Sequence, residues 1–233
     1  MKPPGKLGVS DVHIWVAAGD GLLPRPGTLG DELSTAELAR ARSFKLAVHR
    51  RRFLAARLHR RRVLAEYLGS RPGLLTFRNN PNGKPELEAE FTGDLSFNET
   101  ESDGVAVVAV ARGRRLGIDV ERLHPVPEAE RIVSDFGSAL EKEAFAALRS
   151  DERQDLFLTW WTCKEAFVKA LGEGLSMPLA NFSILVSAGG RVELAGWDDW
   201  SLHTFQPAPD YVGALVVEGR RLRPRIKSWP RAV

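Results

Sequence analysis

The chain has 233 residues, of which 43% are hydrophobic and 27% charged, with a formal net charge of +3 and a single cysteine, Cys163. That is the composition of a globular protein with room for one large domain or two small ones, only mildly biased toward anionic partners. It excludes an internal disulfide, a cysteine-rich zinc site and, for want of an apolar run near ~20 residues, a membrane-spanning helix. No long apolar stretch of the signal-peptide kind opens the chain, so the expectation is a cytoplasmic protein without a membrane partner.

In chain order, residues 11–17 (DVHIWVA) alternate as a strand does. Residues 19–32 read as loop. A helical pattern covers residues 34–69. It starts at Ser34, with Glu37 placed for a capping box, and stops near Gly69 as one helix or two. Short strands flank the turn NNPNGKP within residues 74–87. The run FNETES (97–102) reads as turn chemistry before the continuous buried strand VAVVAV (105–110). The turn ARGRR and the strand LGIDV follow, which suggests a hairpin. Helices are expected at 127–134, 138–149 and 151–171. Strands are expected at 181–187, 190–195, 200–206 and 211–217.

The order strand, helix, strands thus occurs twice, before and after about residue 115. The expected fold class is α+β, built as two similar α/β halves. Residues 1–115 form the first half, 116–220 the second, and 221–233 a basic tail, partly ordered.

Five stretches have residues suited to chemistry. In LGIDVE (116–121), Asp119 and Glu121 sit two apart and project from one face of a strand. A metal ion, a substrate cation or a merely solvated strand end would each relieve their repulsion. The stretch HRRRFLAARLHRRR (49–62) packs seven arginines and two histidines into fourteen residues. It reads as a solvated helix, a phosphate site or a nucleic-acid surface. In WWTCKEAFVKALGEGL (160–175), Glu165 and Lys169 share a helix face, as a surface ion pair or, with Trp161, as a cleft wall. Lys84 in NGKP is held on a rigid turn, an ordinary turn lysine or a phosphate hook. Asn98, Thr100 and Ser102 offer hydrogen bonds to an anion or to the turn itself.

Taken together and in this order, GKP, FN-x-T-x-S, GIDVE and W-x-x-KEAFVKA-x-GEGL resemble the 4′-phosphopantetheinyl transferases, in their longer single-chain form with broad carrier range. The likeness covers about residues 33–186. It implies two α/β halves related by a pseudo-twofold axis, with coenzyme A in a cleft between them. It implies transfer of the phosphopantetheine arm of coenzyme A to a serine of an acyl, peptidyl or aryl carrier protein, releasing adenosine 3′,5′-bisphosphate. By motif match, Asp119, Glu121 and Glu165 would ligate Mg²⁺, which favours oxygen donors. Glu165 would serve as general base and Lys169 would contact the pyrophosphate. Lys84, Arg40, Arg52 (or Arg51), Asn98 and Thr100 would bind coenzyme A. The form with both halves in one chain implies a monomer, and an acidic carrier protein accounts for the arginines without nucleic acid.

The chain departs from the family pattern at one position. Where the second motif usually has histidine beside a coenzyme A phosphate, this chain has Glu101. An ionised carboxylate ~4 Å from a phosphate costs about 4 kcal/mol at an effective dielectric near 20. Unless Glu101 turns away or pairs elsewhere, this motivates an alternative, a non-catalytic relative that binds carrier protein or coenzyme A without transfer.

Overall fold

A computed structural model describes residues 7–18, 29–174, 177–187 and 189–229, apart from the side chain of Thr92. Of the loop expected at 19–32, residues 19–28 lie outside the described residues, as does Leu175 of the GEGL motif, and Leu29–Glu32 is a short helix instead. In chain order the strands and helices are β1 (Asp11–Ala18), α1 (Leu29–Glu32), α2 (Thr35–Arg42), α3 (Ala47–Leu68), β2 (Phe77–Asn79), β3 (Pro85–Leu87), α4 (Ala89–Thr92), β4 (Leu95–Ser102) and β5 (Val105–Arg112). Then come β6 (Leu116–Arg122), α5 (Ala129–Phe136), α6 (Ala139–Ala147), α7 (Ser150–Leu171), β7 (Ser183–Val186), β8 (Val192–Ala195), β9 (Trp200–Phe205), β10 (Tyr211–Glu218) and β11 (Arg223–Trp229). The fold class is α+β.

The chain forms two compact units, residues 1–80 with 85–113 and 223–233, and residues 81–84 with 114–222. Unit 1 holds a four-stranded sheet in the order β11-β1-β5-β4. VAVVAV is its buried central strand, antiparallel to both β1 and β4. One expectation fails here and another is refined. FNETES is not a turn; it is the end of β4, joined to β5 through Asp103 and Gly104, both at positive φ. Asp-Gly is the residue pair that a two-residue hairpin turn favours, so the signal was present in the sequence. The basic tail, expected to be partly ordered, forms a strand over Arg223–Trp229, where β11 runs parallel to β1.

A third expectation, the hairpin of VAVVAV with LGIDV, is also overturned. The strand after ARGRR leaves that sheet altogether, and β6 pairs with β10 in unit 2. Local turn residues cannot distinguish a hairpin from a crossing between sheets, because both need only a chain reversal.

The arginine run is folded into unit 1 rather than spread as a cationic face. Arg60 and Arg61 are buried on α3 and both bind Glu37, the capping residue of α2. Burial raises the Glu37 carboxyl, but the Ser34 amide and the two guanidinium groups more than reverse this and hold it below its usual range. Arg60 and Arg57 also hold Glu99, Arg62 binds Glu32, and Arg52 binds Asp103 at 2.8 Å. Five of the seven arginines are therefore neutralised by acids of the same unit. The helix stops where Gly69 takes a left-handed φ of 61°, a conformation glycine adopts without strain.

His59, fully buried on α3, faces the backbone oxygen of Trp15 at 3.0 Å. Burial pushes its pKa down to about 4. In the unfolded chain the imidazole titrates near 6.5, so between those values the unfolded state binds the extra proton. Stability from this group is full above pH 6.5 and falls as pH drops toward 4. The expected loss between pH 7 and pH 5 is about 2 kcal/mol. Urea unfolding at both pH values should show it, and His59→Gln should flatten the dependence.

Unit 2 holds the three-stranded sheet β6-β10-β9 and the two-stranded pair β7-β8, with α7 as its central helix. Its core is aromatic. Phe167 meets Phe182, Trp197 and Trp200 edge-on, and Trp160 contacts both Phe145 and Phe157. Trp161, considered as a cleft wall, stacks on Phe157 and packs against this core.

Candidate functional site

Strand β6 and helix α7 bring together Asp119, Glu165 and Lys169, three of the predicted site residues. Gly117, Asp119 and Glu121 alternate onto one face of β6. At Gly117 that face lies directly on α7: an added Cβ would sit 2.1 Å from the Ala166 oxygen and 2.3 Å from the Ala170 nitrogen. No real Cβ fits there. On the neighbouring β10 the residues opposite Gly117 and Asp119 are Val216 and Ala214, both buried in the core beneath the helix. This close approach brings the buried Asp119 to the residues flanking the contact, Glu165 and Lys169.

Lys169 Nζ donates to Asp119 Oδ1 at 2.7 Å. Glu165 lies one helical turn earlier. Burial and the neighbouring Asp119 raise its carboxyl above the ordinary range, and Lys169 partly opposes them. Glu121, half-buried, continues the same strand face. Among the described residues, no three His, Cys, Asp or Glu side chains converge into a ready metal cage. The predicted ligands are instead arranged as two interacting acids, one of them paired with the Lys169 ammonium, and a third acid farther along β6. That donor set suits a hard divalent cation. It offers only oxygen, Asp119 Oδ2 is buried and accepts no hydrogen bond, and Mg²⁺ commonly takes one or two carboxylates with waters and substrate phosphates.

Lys84 belongs to the same unit, in a role the sequence did not suggest. Its ammonium donates to the backbone oxygens of Leu116, at the start of β6, and Lys169, in the last turn of α7. Asn82 donates to the Gly172 oxygen. The NGKP loop therefore caps the C-terminus of α7, where a positive charge is favoured by the helix dipole. Lys84→Met should lower stability by about 2 kcal/mol in ligand-free urea unfolding, the scale of a charged hydrogen bond. An unchanged curve would mean the lysine acts only on ligand.

The other predicted binding residues lie in unit 1. Arg52 and Thr100 line a cleft of about 340 Å³ together with His49, Arg57 and Glu101. Arg40 is exposed on α2, its guanidinium 5.2 Å from the Phe44 ring centre, and is not part of that lining. Asn98 is buried within β4. Glu101, the departure from the family motif, accepts the Gly104 amide at 3.0 Å. One oxygen of the carboxylate is thus engaged by the β4–β5 turn.

A pair missed in the sequence supports α7 from behind. Lys164 and Glu141 are both fully buried and 2.8 Å apart. Lys164 also donates to the Leu179 and Phe182 oxygens, while Glu141 accepts the Ser138 and Ile184 amides. The Ser138-x-x-Glu141 spacing is a capping-box signal that could have revealed half of this pair.

Residues 115–216 match the family model described as the 4′-phosphopantetheinyl transferase superfamily. The 4′-phosphopantetheinyl transferase HetI of Nostoc sp. (strain PCC 7120) is 36% identical over 230 residues, covering 98% of this chain and 96% of its own. A putative 4′-phosphopantetheinyl transferase of Synechocystis sp., slr0495, is 32% identical over 165 residues, covering 70% and 66%. Sfp of Bacillus subtilis, also a 4′-phosphopantetheinyl transferase, is 33% identical over 125 residues, covering 52% and 54%.

Proposed function

The chain belongs to the 4′-phosphopantetheinyl transferase superfamily, and from that premise we propose that it transfers the phosphopantetheine arm of coenzyme A, with Mg²⁺, to a serine of an acyl, peptidyl or aryl carrier protein. The observation that carries this reading is the cluster of Asp119, Glu165 and Lys169 where β6 meets α7.

Each residue has a role its environment suits. Glu165, whose carboxyl holds a proton more readily than usual, accepts the serine proton as general base. The serine oxygen forms its bond to the β-phosphorus as the phosphoanhydride bond breaks, and adenosine 3′,5′-bisphosphate departs. Asp119, Glu121 and Glu165 would hold Mg²⁺, which when bound would supply neutralising charge for the pyrophosphate. Lys169 contacts the leaving phosphate. Arg40, Arg52, Asn98 and Thr100 are the coenzyme A contacts proposed for unit 1, and Lys84 adds positive charge at the end of α7. The Glu101 carboxylate, engaged by Gly104, supports a binding site that tolerates it. No helix among the described residues is long and apolar enough to cross a membrane.

The test is intact-mass spectrometry of an apo carrier protein incubated with the enzyme, coenzyme A and Mg²⁺. A phosphopantetheine mass gain is expected, lost with EDTA and lost in Asp119→Ala and Glu165→Ala. No gain on fatty-acid, polyketide and peptide carriers alike would favour the binding-only relative.

A further inference from the structure

The ion pair at the heart of the site bears on how a cation enters it. Asp119 is 5% exposed, so its negative charge has little help from water. A second acid, Glu165, lies close enough to feel it. Two carboxylates in such a place repel each other unless a positive charge intervenes. In this structure that charge is the ammonium of Lys169, on Asp119 Oδ1 at 2.7 Å and one turn from Glu165. A divalent cation would need the same carboxylates.

The two partners differ in freedom. Asp119 is fixed on β6, which lies against α7 at Gly117 without room for a Cβ. Lys169 is 30% exposed along its side chain and has four methylene groups to swing on. When a cation takes the Asp119 oxygens, the lysine is the group able to leave. The geometry points to Lys169 as a resident counter-ion that holds the cation's electrostatic place in the unloaded protein and is exchanged off Asp119 when a divalent cation binds. The inference rests on the proposed metal site. It gives Lys169 two successive partners, Asp119 before loading and substrate phosphate after, so that the unloaded site is never an uncompensated pair of acids.

Lys169 therefore competes with the metal, and its removal favours metal binding. The measurement is Mn²⁺ affinity of the full chain without coenzyme A, by electron paramagnetic resonance of the free ion. Lys169→Met should bind at least tenfold tighter than wild type, and Lys169→Arg, which keeps the charge, should bind like wild type. Thermal unfolding adds a second readout. Without divalent ions Lys169→Met should melt below wild type, and Mn²⁺ should raise its midpoint by more than it raises that of wild type, because a ligand stabilises in proportion to its affinity. Equal or weaker Mn²⁺ binding in Lys169→Met would overturn the exchange while leaving the metal site standing. Absence of Mn²⁺ binding in every variant, with coenzyme A present as well, would overturn the metal site and the exchange together. A role confined to the leaving phosphate would lower transfer in Lys169→Met without changing metal affinity.

Discussion

Gly117→Ala should remove most of the transfer activity and destabilise the protein by about 3 kcal/mol, the upper range for overpacking a tight contact. The new methyl group would meet the backbone of α7, 2.1 Å from the Ala166 oxygen and 2.3 Å from the Ala170 nitrogen. A side chain can rotate away from such a clash, but a helix backbone has to move as a body. The strand or the helix must therefore shift by about an ångström, and displacements of that size cost on the order of a hundredfold in rate when they separate reacting groups. The shift acts where it matters most. Asp119 lies two residues along the strand, and Glu165 and Lys169 are the immediate neighbours of Ala166 and Ala170. In a chain of this size each 1 kcal/mol moves the melting temperature by roughly 2–4 °C, so a fall of about 10 °C is expected. Wild-type melting and turnover in the variant would show that β6 and α7 do not need to touch.

Lys164→Met is expected to cost about 3–5 kcal/mol, the range for removing one partner of a buried ion pair. Glu141 would remain fully buried with its charge uncompensated, keeping only the Ser138 and Ile184 amides. Burial already pulls the Lys164 ammonium below its usual pKa, and the hydrogen bond and charge of Glu141 oppose that pull. The pair is therefore mutually dependent, and a double-mutant cycle tests this. Lys164→Met with Glu141→Gln should recover much of the lost stability, measured by urea unfolding. Additive losses would mean that each residue is held by its carbonyl or amide partners alone. The same variant probes function indirectly, because Lys164 precedes Glu165 on the helix and anchors the opposite side of α7.

Much of unit 2 was legible in advance. The apolar runs of β6, β9 and β10 and the long pattern of α7 announce themselves by periodicity, and the structure brings Asp119, Glu165 and Lys169, three of the residues that the family resemblance proposes, next to one another. The missed elements share a cause. β4 carries Asn98, Glu99, Thr100 and Glu101, residues that look like a turn until α3 supplies Arg57 and Arg60 for Glu99. β11 is a strand only because β1 offers it a parallel edge. The arginine run reads as a surface because the acids that bury it, Glu32, Glu37, Glu99 and Asp103, are remote in sequence.

The amino-acid sequence by itself determined the family, the α+β class and the helix caps at Ser34 and Gly69. These follow from residue type and local spacing, which act over a few residues. The tertiary structure alone decided which charge each lysine answers. Lys164 turns inward to Glu141, Lys169 holds Asp119, and Lys84 caps α7 instead of standing on an open turn. Such choices depend on burial and on oxygens brought near from distant parts of the chain. Coulomb and hydrogen-bond energies are set by distance and solvent exposure, and the chain acquires both only when it folds.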